Sequence, residues 1–253
     1  MRPAWAATSF AQFTEGNVSN TTPPIPLGNL FGYDGSTAGN ASLGTINGTG
    51  FGDPIPANFF FLNLPGLPAD LQGLQNATMR MTASTTAQVV TGFGDTVGSQ
   101  LFDGEGDLES VIQFTRNTPA AEGNGSRTNL LTINFTAQLS GTLGGETASL
   151  TADTLTGYSI TYTSDFLSFS PNEQGSFNIA LTSWQTLSVD QNIAGSGPLS
   201  INDATQNFNI ATAAGAGSFA GGPSVSIPEP SSCVLAILGL GLLGVLGRRR
   251  LSA

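Results

Sequence analysis

Residues 129–139 read as a strand, and from Leu131 onward they alternate without a break. Leu131, Ile133, Phe135, Ala137 and Leu139 are apolar, and Thr132, Asn134, Thr136 and Gln138 between them are polar. A period of two belongs to a strand with one face in a core and the other in water. A helix cannot sort these residues onto one apolar face, because its period is 3.6. The alternation returns at Ala77, Met79, Met81 and Ala83, at Tyr158, Ile160 and Tyr162, and at Phe177, Ile179 and Leu181. Residues 58–64, with Phe59, Phe60 and Phe61 in succession, read as a strand buried on both faces. Residues 166–169, 182–189 and 208–210 read as further strands. One helical turn fits residues 67–74, and nothing longer looks helical before residue 231. Short strands parted by Gly-rich turns predict an all-β fold, an antiparallel β-sandwich of jelly-roll or Ig-like type.

The spacing of turn formers divides the chain. Residues 9–56 hold clusters such as Asn20-Thr21-Thr22-Pro23-Pro24 and Asn47-Gly48-Thr49-Gly50, which favour positive φ or fix it. They are expected to be a loop-rich N-terminal part of the β-domain, with short strands near 27–33 and 42–46. Residues 57–214 are expected to form the sandwich core. Residues 215–226 begin Gly215-Ala216-Gly217-Ser218-Phe219-Ala220-Gly221-Gly222-Pro223 and read as a flexible linker.

The polar half of the pattern is unusual. Charged residues are only 9% of the chain, against ~25% in a typical soluble protein. Their place is taken by 29 Thr, 25 Ser and 18 Asn. There is no His and no Lys, so imidazole bases, His-ligated zinc, Schiff bases and P-loops are excluded. Cys233 is the only cysteine, which excludes an intrachain disulfide and a thiolate metal cluster. Between residues 9 and 228 there are 16 acidic residues and 3 Arg, a balance of −13. Such a chain neutralises no phosphate, so nucleic acid is not an expected partner.

The C-terminus carries the most specific signal. Ile227-Pro228-Glu229-Pro230 precedes an uncharged apolar run, residues 231–247, and Arg248-Arg249-Arg250 follows at once. As a helix the run is about 26 Å long, enough for a short transmembrane span. The arginines place its far end in the cytoplasm and the preceding chain outside it. Motif, apolar helix and basic cluster in this order resemble the PEP-CTERM sorting signal, over residues 227–253. The resemblance implies export and recognition by an exosortase, a membrane-embedded cysteine protease or transpeptidase. Pro228, Glu229 and Pro230 would be the recognition motif. Residues 231–247 would hold the chain briefly in the inner membrane, and Arg248, Arg249 and Arg250 would act as the topological stop. Cleavage near 228–230 would send the β-domain to the cell surface or beyond. The partners implied are the exosortase, the export machinery and, for proteins of this kind, extracellular polysaccharide. At the other end, Ala4-Trp5-Ala6 has the form of a signal-peptidase site, so residues 1–8 are expected to be the remnant of a signal peptide.

One cluster invites a metal reading. Asp103, Glu105, Asp107 and Glu109 fall at every second position in a Gly-containing stretch. Carboxylates spaced this way converge on a hard cation such as Ca2+ if they lie in a loop, and simply repel if they lie in a strand. The EF-hand pattern is not met, since Leu108 stands where its Gly belongs. The rival function is therefore a secreted calcium- or carbohydrate-binding module, and a less favoured one is an extracellular polysaccharide hydrolase built on two carboxylates. Trp184 lies in a strand and is expected in the core, which leaves little aromatic surface for sugar stacking. The reading favoured overall is an exported, non-catalytic surface or matrix protein without a cofactor.

Overall fold

Alternation becomes sheet almost everywhere in the computed structural model, which describes residues 8–16, 30–47, 51–62, 64–92, 94, 96–104, 110–117, 127–170, 174–187 and 197–225. The strands are β1 (Thr8–Glu15), β2 (Phe31–Thr37), β3 (Asn40–Thr45), β4 (Ile55–Phe61), β5 (Leu74–Thr85), β6 (Val90–Thr91), β7 (Val97–Phe102) and β8 (Val111–Arg116). They continue with β9 (Asn129–Phe135), β10 (Ala137–Thr142), β11 (Ala148–Asp153), β12 (Ile160–Thr163), β13 (Leu167–Ser168), β14 (Ser176–Thr186), β15 (Ala211–Gly221) and β16 (Ser224–Val225). The helical content among the described residues is two 3-10 turns, Ala69–Leu71 and Thr154–Thr156. No helix among them is long and apolar enough to cross a membrane. The expected transmembrane run, 231–247, lies outside the described residues, as do residues 1–7 of the expected signal-peptide remnant.

Fourteen strands form one antiparallel sheet in the order β12-β9-β8-β5-β3-β2-β15-β14-β11-β10-β7-β6, with β1 and β4 branching from it. The branch has a simple cause. β5 and β15 are 12 and 11 residues long, and along one edge of each the partners, β3 and β4 or β1 and β2, are shorter. An uncovered stretch of strand leaves peptide groups without partners, so two short strands share one long edge. On β15, residues 216–221 pair with β1 and residues 211–213 pair with β2. On β5, residues 74–79 pair with β4 and residues 82–85 pair with β3. β1 pairs with β4, and β2 pairs with β3. The six strands β15-β1-β4-β5-β3-β2 therefore close a hydrogen-bonded ring.

The remaining strands extend from the ring as two wings that face each other. Residues 129–142 connect the wings. β9 pairs with β8 and β12 in one, and β10 pairs with β7 and β11 in the other. The crossing occurs at Thr136, and the alternation survives it: Leu131, Ile133, Phe135, Ala137 and Leu139 are all buried. Between the wings lies an aromatic core. Phe114 on β8 sits 5.7 Å from Phe219 on β15, and Phe135 on β9 sits 5.1 Å from Phe177 on β14. Phe13 on β1 touches Phe31, Phe114 and Phe219. The expected all-β, antiparallel architecture is present, as one fourteen-stranded sheet folded over, with β13 and β16 forming a separate two-stranded ladder.

Two expectations need correction. The flexible linker at 215–226 is, through residue 221, the strand β15, paired on both edges. Its small residues serve close packing. A Cβ on Gly215 would lie 2.3 Å from Phe31 Cε2, and one on Gly217 would lie 2.6 Å from Phe13 Cε1. Glycine here marks the approach of large rings to the backbone. The loop-rich stretch 9–56 contains β1, β2 and β3 and the start of β4. β1 shows no clean alternation in sequence because a register shift between Ser9 and Ala11 buries both Phe10 and Ala11. A smaller difference is Phe208, which makes only a single bridge to Ile201.

The fork in the sheet needs one further group. Gly215 lies on β15 between the residues that pair with β1 and those that pair with β2. Its N–H donates to Glu15 Oε1 at 2.7 Å. The same carboxylate accepts from the Leu30 backbone N–H, so it bridges the end of β1, the middle of β15 and the approach to β2. Burial pushes the Glu15 carboxyl up to about 7, and the Gly215 and Leu30 donors pull against that rise.

Two outcomes are expected. With a folded value near 7 against 4.5 unfolded, folding takes up a proton between those limits. Stability is then greatest at the acid end and falls as pH rises through 7. The loss is about 1–2 kcal/mol once solvent screening of a half-buried carboxylate is allowed for. Glu15→Gln should flatten this slope, as read by urea denaturation followed through Trp184 fluorescence from pH 4.5 to 8. Gly215→Ala should cost about 1–3 kcal/mol in the same assay, because the buried Phe31 ring must move.

Candidate functional site: the C-terminal signal and the pole it leaves

Prolines bracket the chain just before the sorting motif. Pro223 and Pro228 carry no N–H to donate to a ladder. Within that interval Ser224 pairs with Ser168, and Val225 pairs with Leu167, forming the β13–β16 ladder. The described chain ends there, three residues before Pro228.

β13 is firmly set in the domain. Leu167 and Phe166 are buried, and Phe169 packs against Phe10 at 5.5 Å and Tyr162 at 5.3 Å. The guanidinium carbons of Arg116 and Arg127 lie 6.0 and 5.9 Å from the centre of the Phe166 ring, at the outer limit of a cation–π contact. Arg116 is also held by Asp70 at 3.0 Å. Asp165, two residues before β13, accepts the backbone N–H groups of Thr128 and Asn129, both at 2.9 Å, through Oδ2. Its own N–H donates to the Asn129 carbonyl. Tyr162 donates its hydroxyl to the Ser176 carbonyl at 2.9 Å, tying this pole to β14. The signal thus departs from a rigid end of the domain, beside the last turns of β15.

The signal residues themselves, Pro228, Glu229, Pro230, Arg248, Arg249 and Arg250, lie outside the described residues. Of the four carboxylates weighed as a cation site, Asp103 alone is described. It follows the buried Phe102 at the end of β7 and is partly exposed. Glu105, Asp107 and Glu109 lie outside the described residues. Among those described, no three carboxylate, thiol or imidazole groups come together as a metal would require. Trp184 is buried against Tyr33 at 5.9 Å and Phe208 at 6.4 Å.

Two features were not anticipated from sequence. An open crevice of about 510 Å3 is lined by Phe61, Leu64, Pro65, Leu67, Gln72 and Gly73. None of these residues titrates, so the crevice supplies no acid, base or nucleophile. The second is a buried amide cluster. Tyr33 donates to Gln100 Oε1 at 2.6 Å, and Gln100 Nε2 donates to the Ala87 carbonyl and to Asn207 Oδ1. Asn207 Nδ2 reaches the carbonyls of Thr37 and Asn40. Each amide is satisfied, so the cluster joins the 197–210 segment to the β2–β3 hairpin. Isolated Gln and Asn residues give no sequence signal for such a role.

The anchoring of β13 has a measurable consequence. Asp165→Ala should lower stability by about 2 kcal/mol, the usual loss when a charged acceptor of backbone N–H groups is removed. Hydrogen exchange should rise first at the amides of Thr128 and Asn129.

No curated protein and no solved structure matches the chain. The family model of the PEP-CTERM protein-sorting motif matches residues 226–250. That span takes in Pro228-Glu229-Pro230, the apolar run and the three arginines, so the chain carries at its C-terminal end the sorting motif of PEP-CTERM domain-containing proteins.

Proposed function

We propose that this chain is an exported, non-catalytic surface or extracellular-matrix protein of a bacterium, delivered and cut by an exosortase. The observation that carries the reading is the sorting motif at residues 226–250, which follows directly on a folded β-domain. Such signals are recognised by exosortase and imply export with membrane-associated sorting. Pro228, Glu229 and Pro230 serve as the recognition motif, residues 231–247 as the temporary anchor and Arg248–Arg250 as the stop.

The outer faces of the sheet support a structural role over a catalytic one. On one wing, cross-strand partners read Leu101, Gln138, Thr151, Asn178, Ser218 and Gln12 from β7 to β1. The next row reads Ser99, Ser140, Ser149, Ala180 and Ala216. On the other wing a row reads Thr82, Val111, Asn134 and Thr161. These rows are uncharged and rich in hydroxyl and amide groups. They suit hydrated, neutral polysaccharide, with which they exchange hydrogen bonds without charge repulsion. The protein needs no cofactor for this role.

The intact mass of the protein from its native host tests the reading. An exosortase-competent strain should yield a species ending near residues 228–230. A strain lacking the enzyme should hold the tail-bearing form in its membranes. The same uncut chain in both strains would overturn the proposal.

A further inference from the structure

The folded domain continues almost to the sorting motif. Val225, paired with Leu167, is three residues from Pro228 and six from the first residue of the apolar run. Fully extended, those distances are at most about 11 Å and about 22 Å. A protease that cuts near 228–230 therefore works in the narrow space between the membrane and the β13–β16 ladder.

Proteases commonly hold the residues before the cut as an added strand, through their main-chain groups. In this chain residues 224 and 225 are already paired with β13. Enzyme and β13 compete for the same segment. The two sides of the ladder are held unequally. β13 is fixed by the burial of Phe166 and Leu167, by the packing of Phe169 and by the Asp165 carboxylate. β16 spans two described residues, and Pro223 beside it has no N–H to add to the ladder. Short terminal elements of this kind open locally while the rest of a domain stays folded.

We propose that β16 is a latch, and that the exosortase cuts at the motif only after β16 has peeled away from β13. The inference rests on the sorting reading above and names what regulates its cleavage. It makes the folded state of the pole a gate on release, since only the open fraction is substrate.

Cross-strand partners in an antiparallel ladder lie within disulfide reach, so Leu167→Cys with Val225→Cys locks the latch in an oxidising compartment. The full-length chain should carry Cys233→Ser in every strain to prevent mispairing. Cleavage is followed by pulse-chase and intact mass in the native host, with and without exosortase. The oxidised lock should slow cleavage at least about tenfold, because rate follows the open fraction, and reductant should restore it. A second variant leaves the ladder intact and inserts Gly-Ser-Gly-Ser between Ile227 and Pro228. It should be cut at least about threefold faster than the Cys233→Ser parent, since the motif then reaches the enzyme with the latch closed. A locked chain cut at the parent's rate, or an insertion that changes nothing, overturns the latch alone. A parent chain that stays uncut in the exosortase-competent strain overturns the sorting reading and the latch with it.

Discussion

Two long strands, each with one edge that no single neighbour covers, set the plan of this domain. One edge of β5, and the edge of β15 away from β14, present more peptide groups than β1, β2, β3 or β4 covers alone, and a bare peptide group inside a protein costs about as much as a lost hydrogen bond. The solution is to place β1 and β2 end to end along β15, and β4 and β3 end to end along β5. Everything else follows from that ring. It brings Phe13, Phe31 and Phe219 together, aims the wings at each other, and leaves one junction where Gly215 needs the Glu15 carboxylate. Aromatic pairing within the ring adds about 0.5–1.5 kcal/mol per contact to the burial of the rings.

How much of this was legible in the sequence depends on whether the signal is local. Residues 129–139 announce a strand because burial on one face leaves a period of two, and that pattern persists even where the chain changes wings at Thr136. Residues 215–221 were unreadable for the opposite reason. Gly and Ala are small because Phe13 and Phe31 press on their backbone, yet both come from elsewhere in the chain. Small residues in sequence look the same whether they are loose or tightly packed. β1 was hidden by a bulge, and the partners of Gln100 and Asn207 are fixed only by tertiary contact. The sorting motif is the reverse case. Its proline motif, apolar run and arginines are contiguous, so no fold is needed to recognise them.

The division of labour in the chain is clear from where its charges lie. Described carboxylates sit mostly at turns and caps, such as Asp34, Asp153, Asp165 and Asp203, while the broad sheet faces carry Ser, Thr, Asn and Gln. An acidic balance of this size opposes self-association through charge repulsion. Cross-strand hydroxyl and amide pairs also keep these faces from becoming the flat apolar surfaces that aggregate.

The pairing of β1 with β15 has a kinetic consequence. The hydrogen bond from Gly215 to Glu15 joins residues 200 apart in sequence, and the ring cannot close until both are present. Chains dominated by such distant contacts fold slowly, because the entropy of a long loop is lost before the contact rewards it. A chain whose β1 must wait for β15 becomes a finished domain only late in synthesis. The topology that makes the folded domain a closed structure also keeps the growing chain open until β15 has been made.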